Sequence, residues 1–211
     1  MKRIEYLKKI DSFNDELINL RRHIHAHPEL SGLEHQTAIL ISGFLKNIGW
    51  NVRESIGRTG VIADFGPLDK AILGLRVDMD ALPIFEETKL NFSSKIDGVM
   101  HACGHDLHIS IGLGVAKIIK DLKLNFGTRI IFQPAEEIAS GARWMIKDGA
   151  THGLTNILGV HGYPDLPVGT IGIKEGSLTA AAGELKVEIK GNQDMVLDLL
   201  RELMLFGRPL K

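Results

Sequence analysis

The stretch "AILGLRVD", residues 71–78, constrains this 211-residue chain more than any other. It is almost wholly apolar until it turns acidic at Asp78, with Asp80 two positions on. Unbroken apolar character, rather than alternation, suits a strand covered on both faces, and such strands belong to sheets flanked by helices. The neighbouring segments agree. Trp50–Ser55, Val61–Phe65, Thr128–Phe132 and Asn156–Val160 read as further strands, and 168–190 as a β-rich segment. Ile4, Leu7, Ile10, Leu17, Leu20 and Ile24 predict one amphipathic helix over 4–26 that Pro28 stops. Helices are also expected over 34–48, closed by Gly49, over 106–122 with Asp106 as N-cap, and over 139–148. The alternation predicts an α/β fold, a mixed sheet with helices on both faces.

In such folds chemistry collects where strands end. Four stretches fall there: "RVDMDALP", "HACGHD", "QPAEE" and "VHGYP". In the second, Cys103 and His105 are separated only by Gly104, so a thiolate and an imidazole can reach one metal or two adjacent ones. A lone buried cysteine beside an unrelated histidine is the blander reading. His101 and His108 are further ligands or partners of nearby backbone. Glu136 and Glu137 are adjacent carboxylates whose repulsion a divalent cation would relieve. One could ligate while the other takes a proton from water, unless the pair merely opens a helix in solvent. Asp78 and Asp80 alternate along a strand and so face one pocket, where they would orient a ligand histidine; they could equally form the turn before Pro83. His161 ends its strand as a ligand or as a hydrogen-bonded structural residue. Thiolate, imidazole and carboxylate together suit zinc, with manganese, cobalt or nickel as alternatives, and a sulfur ligand disfavours magnesium and calcium. His25, His27 and Glu29, in "RRHIHAHPEL", read as cap, packing or wall residues.

Composition narrows the function classes. A formal net charge of −1 leaves no basic stripe for nucleic acid. No stretch approaches the roughly 18–20 apolar residues of a membrane helix, and the N-terminus lacks the apolar core of a secretory signal. Cys103 is the only cysteine, so a cytoplasmic, reducing setting is expected.

Taken together, "HPEL", "RVDMDALP", "MHACGHD", "QPAEE" and "GVHGYPDLPVGTIGI" resemble the peptidase M20 family. They are most similar to its amidohydrolase branch of hippurate hydrolases, N-acyl-L-amino-acid amidohydrolases and IAA-amino acid hydrolases. The resemblance covers about residues 13–191. It implies a zinc-exopeptidase-like catalytic domain with two divalent metal ions, Cys103 standing where the wider family has a bridging aspartate. His105, Glu137 and His161 would be further ligands and Glu136 the general base. The implied substrates are N-acyl amino acids or related small amides.

Family members are close to twice this length. The resemblance therefore implies that residues 1–182 are the N-terminal part of a catalytic domain. Residues 183–211 would open an α+β lid, of which "GELKVEIKG" is the first strand. The family's Gly-His-Gly pattern is expected next, but the chain reads "NQDMVLDLLRELMLFGRPLK". One extra G before the codon of Asp194 would, with permitted synonymous codons, turn "DMVLDL" into Gly-His-Gly-Ser-Arg-Pro. A single-nucleotide frameshift is the expectation, against a genuine C-terminal helix built on Met195, Leu199, Leu203 and Phe206. Either way the family's last ligand histidine is absent and its lid-mediated homodimer is doubtful, so partial metal loading and weak or absent hydrolysis are expected, with a metallopeptidase or deacetylase of the same superfamily, or a non-catalytic metal-binding fragment, as the alternatives.

Overall fold

The computed structural model describes residues 8–122, 124–173, 196–198 and 201. The chain divides into compact units at Pro164 and Asp165. In the first unit the elements run α1 (Asn14–Ala26), α2 (His35–Asn47), β1 (Asn51–Ile56), β2 (Gly60–Phe65), β3 (Ile72–Asp78), α3 (His105–Lys120), β4 (Gly127–Gln133), α4 (Gly141–Lys147) and β5 (Leu154–Gly159). In the second unit Pro167–Thr170 makes a turn and residues 196–198 are helical.

The sheet order is β1-β2-β4-β3-β5. β1 and β2 pair antiparallel, as do β2 and β4, whereas β3 lies parallel to both β4 and β5. β4 is buried along its whole length, as a strand covered on two faces must be. Its side chains alternate between two cores. Ile130 and Phe132 join Val61, Ala63, Val77, Ile109 and Leu113 on one face, together with Ile24, Ile41 and Leu45 of α1 and α2. Ile131 joins Ile62 and Met145 of α4 on the other. The expected mixed α/β sheet with helices on both faces is therefore present, and the crossover through α3 covers the opposite face from the crossover through α4.

Local details depart from the sequence reading. The helix expected over 4–26 breaks at Ser12 and Phe13, where the Ser12 hydroxyl bonds the Lys9 carbonyl and Phe13 turns inward; residues 4–7 lie outside the described residues. Asp106 is not the N-cap of α3. That position belongs to Gly104 at φ +91°, a left-handed conformation that glycine adopts without penalty. Asp106 lies inside the first turn, fully buried. Residues 168–173 form no strand, and the lid strand expected over 183–191 lies outside the described residues.

Phe132 fills the larger core at 0% exposure. Phe132→Ala should cost about 3–5 kcal/mol, read from urea denaturation; a loss below about 1 kcal/mol would mean the core is organised elsewhere.

Candidate metal centre

The C-terminal ends of the parallel strands β3, β4 and β5 converge on one crevice, and the N-terminus of α3 points into it. Because β4 and β5 flank β3 and their crossovers use opposite faces, this is the switch point where open α/β sheets leave a cleft. β3 ends in Asp78 and the segment just after it carries Asp80, the loop after β4 delivers Glu136 and Glu137, the residues after β5 deliver His161, and α3 delivers His105.

His105 is completely buried. Its Nδ1 lies 2.8 Å from the Asp80 carbonyl oxygen, which can only accept, so Nδ1 carries the proton and Nε2 presents a bare lone pair. That lone pair has no hydrogen-bond partner. It faces Asp78 Oδ1 at 3.6 Å, Glu137 Oε1 at 3.7 Å and Glu136 Oε2 at 3.9 Å, all beyond hydrogen-bond range. Glu137 Oε1 is likewise buried and unpartnered. His161 repeats the pattern: Nδ1 donates to the Gly162 carbonyl at 2.7 Å, and Nε2 sits 3.4 Å from Cys103 Sγ. Cys103, His105 and His161 form one group whose ligand atoms all lie within 4.8 Å of one another, and His105, Glu136 and Glu137 form another.

His108 also neighbours Asp78 and His105, but it is not free to ligate. Its Nδ1 donates to Asp78 Oδ1 at 2.5 Å and its Nε2 accepts the Gly162 N–H at 2.7 Å. Asp78, itself paired with Arg76 at 2.8 Å, thus fixes His108, and His108 fixes the backbone beside His161. Asp80 acts on His105 directly through its carbonyl, and its Oδ2 accepts the Glu137 N–H at 3.0 Å and the Ser31 hydroxyl at 2.6 Å. His101 is buried outside each ligand group, its pKa lowered to about 4, chiefly by burial.

The electrostatics call for positive charge. Burial, then Glu137 and Glu136, push the Cys103 thiol up to about 12. Burial raises Glu137 too, with Glu136 and Asp80 adding to the effect against His105. The imidazole responds in the opposite sense: burial disfavours its charge, yet Asp80, Asp78 and Glu137 raise its pKa overall. Bare ligand nitrogens, an unpartnered carboxylate oxygen and a thiol hemmed in by carboxylates are a donor set that a divalent cation satisfies.

Sequence reasoning passed over two features. His25, read as a cap, packing or wall residue, is a buried packing residue, and with Asp106, read as an N-cap, it forms a network in which Asp106 Oδ2 accepts from His25 Nδ1 and Arg21 Nε, each at 2.9 Å, and His25 Nε2 meets Glu86 at 3.2 Å. Two histidine-rich segments 81 residues apart gave no local signal of that pairing. Glu34 was the other; its fully buried carboxylate contacts the loop that bears Glu136 and Glu137. Glu29 does cap, accepting the N–H groups of Gln36 and Thr37 at the start of α2.

The sequence model of peptidase family M20/M25/M40 matches residues 74–204. The chain belongs to that family. Its sequence is 51% identical over 179 residues to a probable hydrolase of Synechocystis, covering 83% of this chain and 46% of that protein. It is 46% identical over 184 residues to an N-acetylcysteine deacetylase of Bacillus subtilis, covering 85% of this chain and 48% of the relative. The crystal structure of the Bacillus subtilis YXEP protein, described as a dinuclear metal binding peptidase of the M20 family, superposes with a TM-score of 0.75 at 46% identity. That match covers 79% of this chain and 47% of the other. The chain thus spans about half the length of the curated M20 relatives it matches. Among the described residues no helix is long and apolar enough to cross a membrane.

Burial alone would raise the pKa of Asp80, but bonds from His105, Ser31 and the backbone of Glu137 and Glu136 bring it down from 3.8 to about 2. A carboxyl depressed on folding stabilises the fold above its unfolded pKa of about 3.9 and loses that contribution as pH falls toward the folded value. In metal-free protein, stability on the order of 2 kcal/mol should vanish between about pH 4 and pH 2. Asp80→Asn should flatten that limb in urea denaturation; parallel acid limbs would contradict it.

Proposed function

We propose that Cys103, His105, Glu137 and His161 are ligands of a two-metal site for hydrolysis of the amide bond of N-acyl amino acids, with Glu136 as its general base. The observation that carries the reading is the pair of buried, unpartnered ligand atoms, His105 Nε2 and Glu137 Oε1, 3.7 Å apart beside the Cys103 thiol. Sulfur and imidazole donors favour zinc, manganese, cobalt or nickel over magnesium or calcium. When bound, such ions polarise a carbonyl and lower the pKa of water toward about 7.

The chain's own residues divide the remaining work. Glu137 is the more buried of the carboxylates, its side chain 18% exposed against 38% for Glu136, so Glu137 suits ligation and Glu136 stays open to water and substrate. Glu136 takes a proton from the attacking water, holds it while the tetrahedral carbon forms, and returns it to the departing amine. Asp80 keeps His105 in the tautomer that leaves Nε2 bare, and Asp78 with His108 anchors the backbone beside His161.

The substrate class follows from the branch the motifs resemble and from a relative that deacetylates N-acetylcysteine. In this reading residues 1–182 are the N-terminal part of the catalytic domain, residues 183–211 open a lid, and the thiol ligand works in the reducing cytoplasm.

Glu136→Gln should lower kcat on an N-acetyl or N-benzoyl amino acid by about 10²–10⁴-fold and leave the metal content unchanged. His105→Ala should lose metal and turnover together. Turnover surviving in Glu136→Gln would remove Glu136 as the base. Metal bound by the wild-type chain without any turnover would leave a binding fragment, not a hydrolase.

A further inference from the structure

Glu34 occupies the N-cap position of α2, yet its side chain makes no capping bond. Glu29 takes over that task. The Glu34 carboxylate instead turns inward at 0% exposure and is fully engaged. Its Oε1 accepts the N–H groups of Gly32 and Ala135, both at 2.8 Å, and its Oε2 accepts the Thr59 hydroxyl at 2.5 Å. One buried charge therefore ties the turn before α2 and the β1–β2 hairpin to the loop after β4. A carboxylate is buried at such cost only where several donors meet it.

The loop it grips is unusual. Ala135 stands at φ +49°, a left-handed conformation in which the Cβ of a non-glycine residue is strained. The Ala135 carbonyl accepts from Ser140 and Gly141, and a Cβ at Gly141 would run into the Pro134 carbonyl. Asp80 takes the Glu137 N–H on the far side. The amides of Ala135 and Glu137, on either side of Glu136, are thus each held by a carboxylate, Glu34 and Asp80 respectively. Glu136 and Glu137 project from that held segment.

We propose that Glu34 is a positioning residue for the Glu136–Glu137 pair, acting through the Ala135 amide and touching no reacting atom itself. This role rests on the reading of Glu137 as a metal ligand and Glu136 as the base. A helix cap would act on α2, and a core filler would act on the whole fold; an anchor of this loop acts on residues 135–137 first.

Amide hydrogen exchange on the metal-free, full-length chain tests the anchor without any metal or substrate. Glu34→Gln keeps the size but weakens the charge-assisted bonds, which are about twice as strong as neutral ones. Exchange at Ala135 and Glu137 should quicken about tenfold in Glu34→Gln and about a hundredfold in Glu34→Ala, with the β3 and β4 amides unmoved. Co²⁺ titration, followed by its visible absorption, tests the link to the site. The dissociation constant should rise about tenfold in Glu34→Ala and should not rise further when Glu137→Ala is already present. Exchange at 135–137 that moves no more than at β3 and β4 overturns the proposal. So does a loss of Co²⁺ affinity that is the same with and without the Glu137 carboxylate. If Glu34→Ala does not fold, Glu34→Gln decides by the same two comparisons. A wild-type chain that takes up no Co²⁺ ends the metal reading, and the exchange result then still accepts or rejects Glu34 as the anchor of the loop.

Discussion

Everything around the crevice is arranged about one imidazole nitrogen, His105 Nε2. Asp78, Glu137 and Glu136 approach it to between 3.6 and 3.9 Å without closing a hydrogen bond, and Asp80 holds the ring from behind. Carboxylates gathered so closely in a buried place repel one another and raise the pKa of Glu137 and Cys103. Arg76 answers only Asp78. Asp80 is tethered by the Glu137 N–H and the Ser31 hydroxyl, and Asp78 by His108 and Arg76, but Glu137 Oε1 has no donor to answer it. This concentration of negative charge is best explained by a cation that the donors were placed to meet.

The sheet makes the gathering possible. Parallel pairing of β3 with both β4 and β5 brings the ends of all three strands to the same edge, and crossovers on opposite faces leave that edge uncovered. The hydrophobic alternation of β4, with Ile130 and Phe132 facing one core and Ile131 the other, fixes the register at which Gln133 ends and the acidic loop begins. A slip of one residue would exchange the two faces and turn Glu136 away from His105.

Much of this was legible in the sequence. The apolar run 71–77, the strand and helix alternation and the five motifs gave the fold class and the family, because hydrophobic period and strand-end chemistry are local properties. Cys103, His105, Glu136, Glu137 and His161 were named from residue type and spacing, and the fold brings them together. What stayed hidden depends on pairings distant in sequence. Nothing local distinguishes Glu34 from a surface glutamate opening a helix; its partners Thr59 and Ala135 lie 25 and 101 residues away. Asp106 reads as a cap because aspartate favours that position, but His25 and Arg21 draw it into the interior and leave the cap to Gly104. Of the two readings open for His108, ligand or partner of nearby backbone, the fold takes the second: Gly162 N–H claims its Nε2, but only a strand end 54 residues away brings it there.

Anomalous scattering from crystals of the chain grown with Mn²⁺ or Zn²⁺ tests the central claim most directly. The account requires paired peaks in the crevice, within bonding distance of His105 Nε2, Glu137 and Cys103 Sγ, and with His161 Nε2 in reach. Metal found only at surface carboxylates, or a crevice closed by hydrogen bonds from His105 Nε2 to Glu137 with no ion between them, would contradict it.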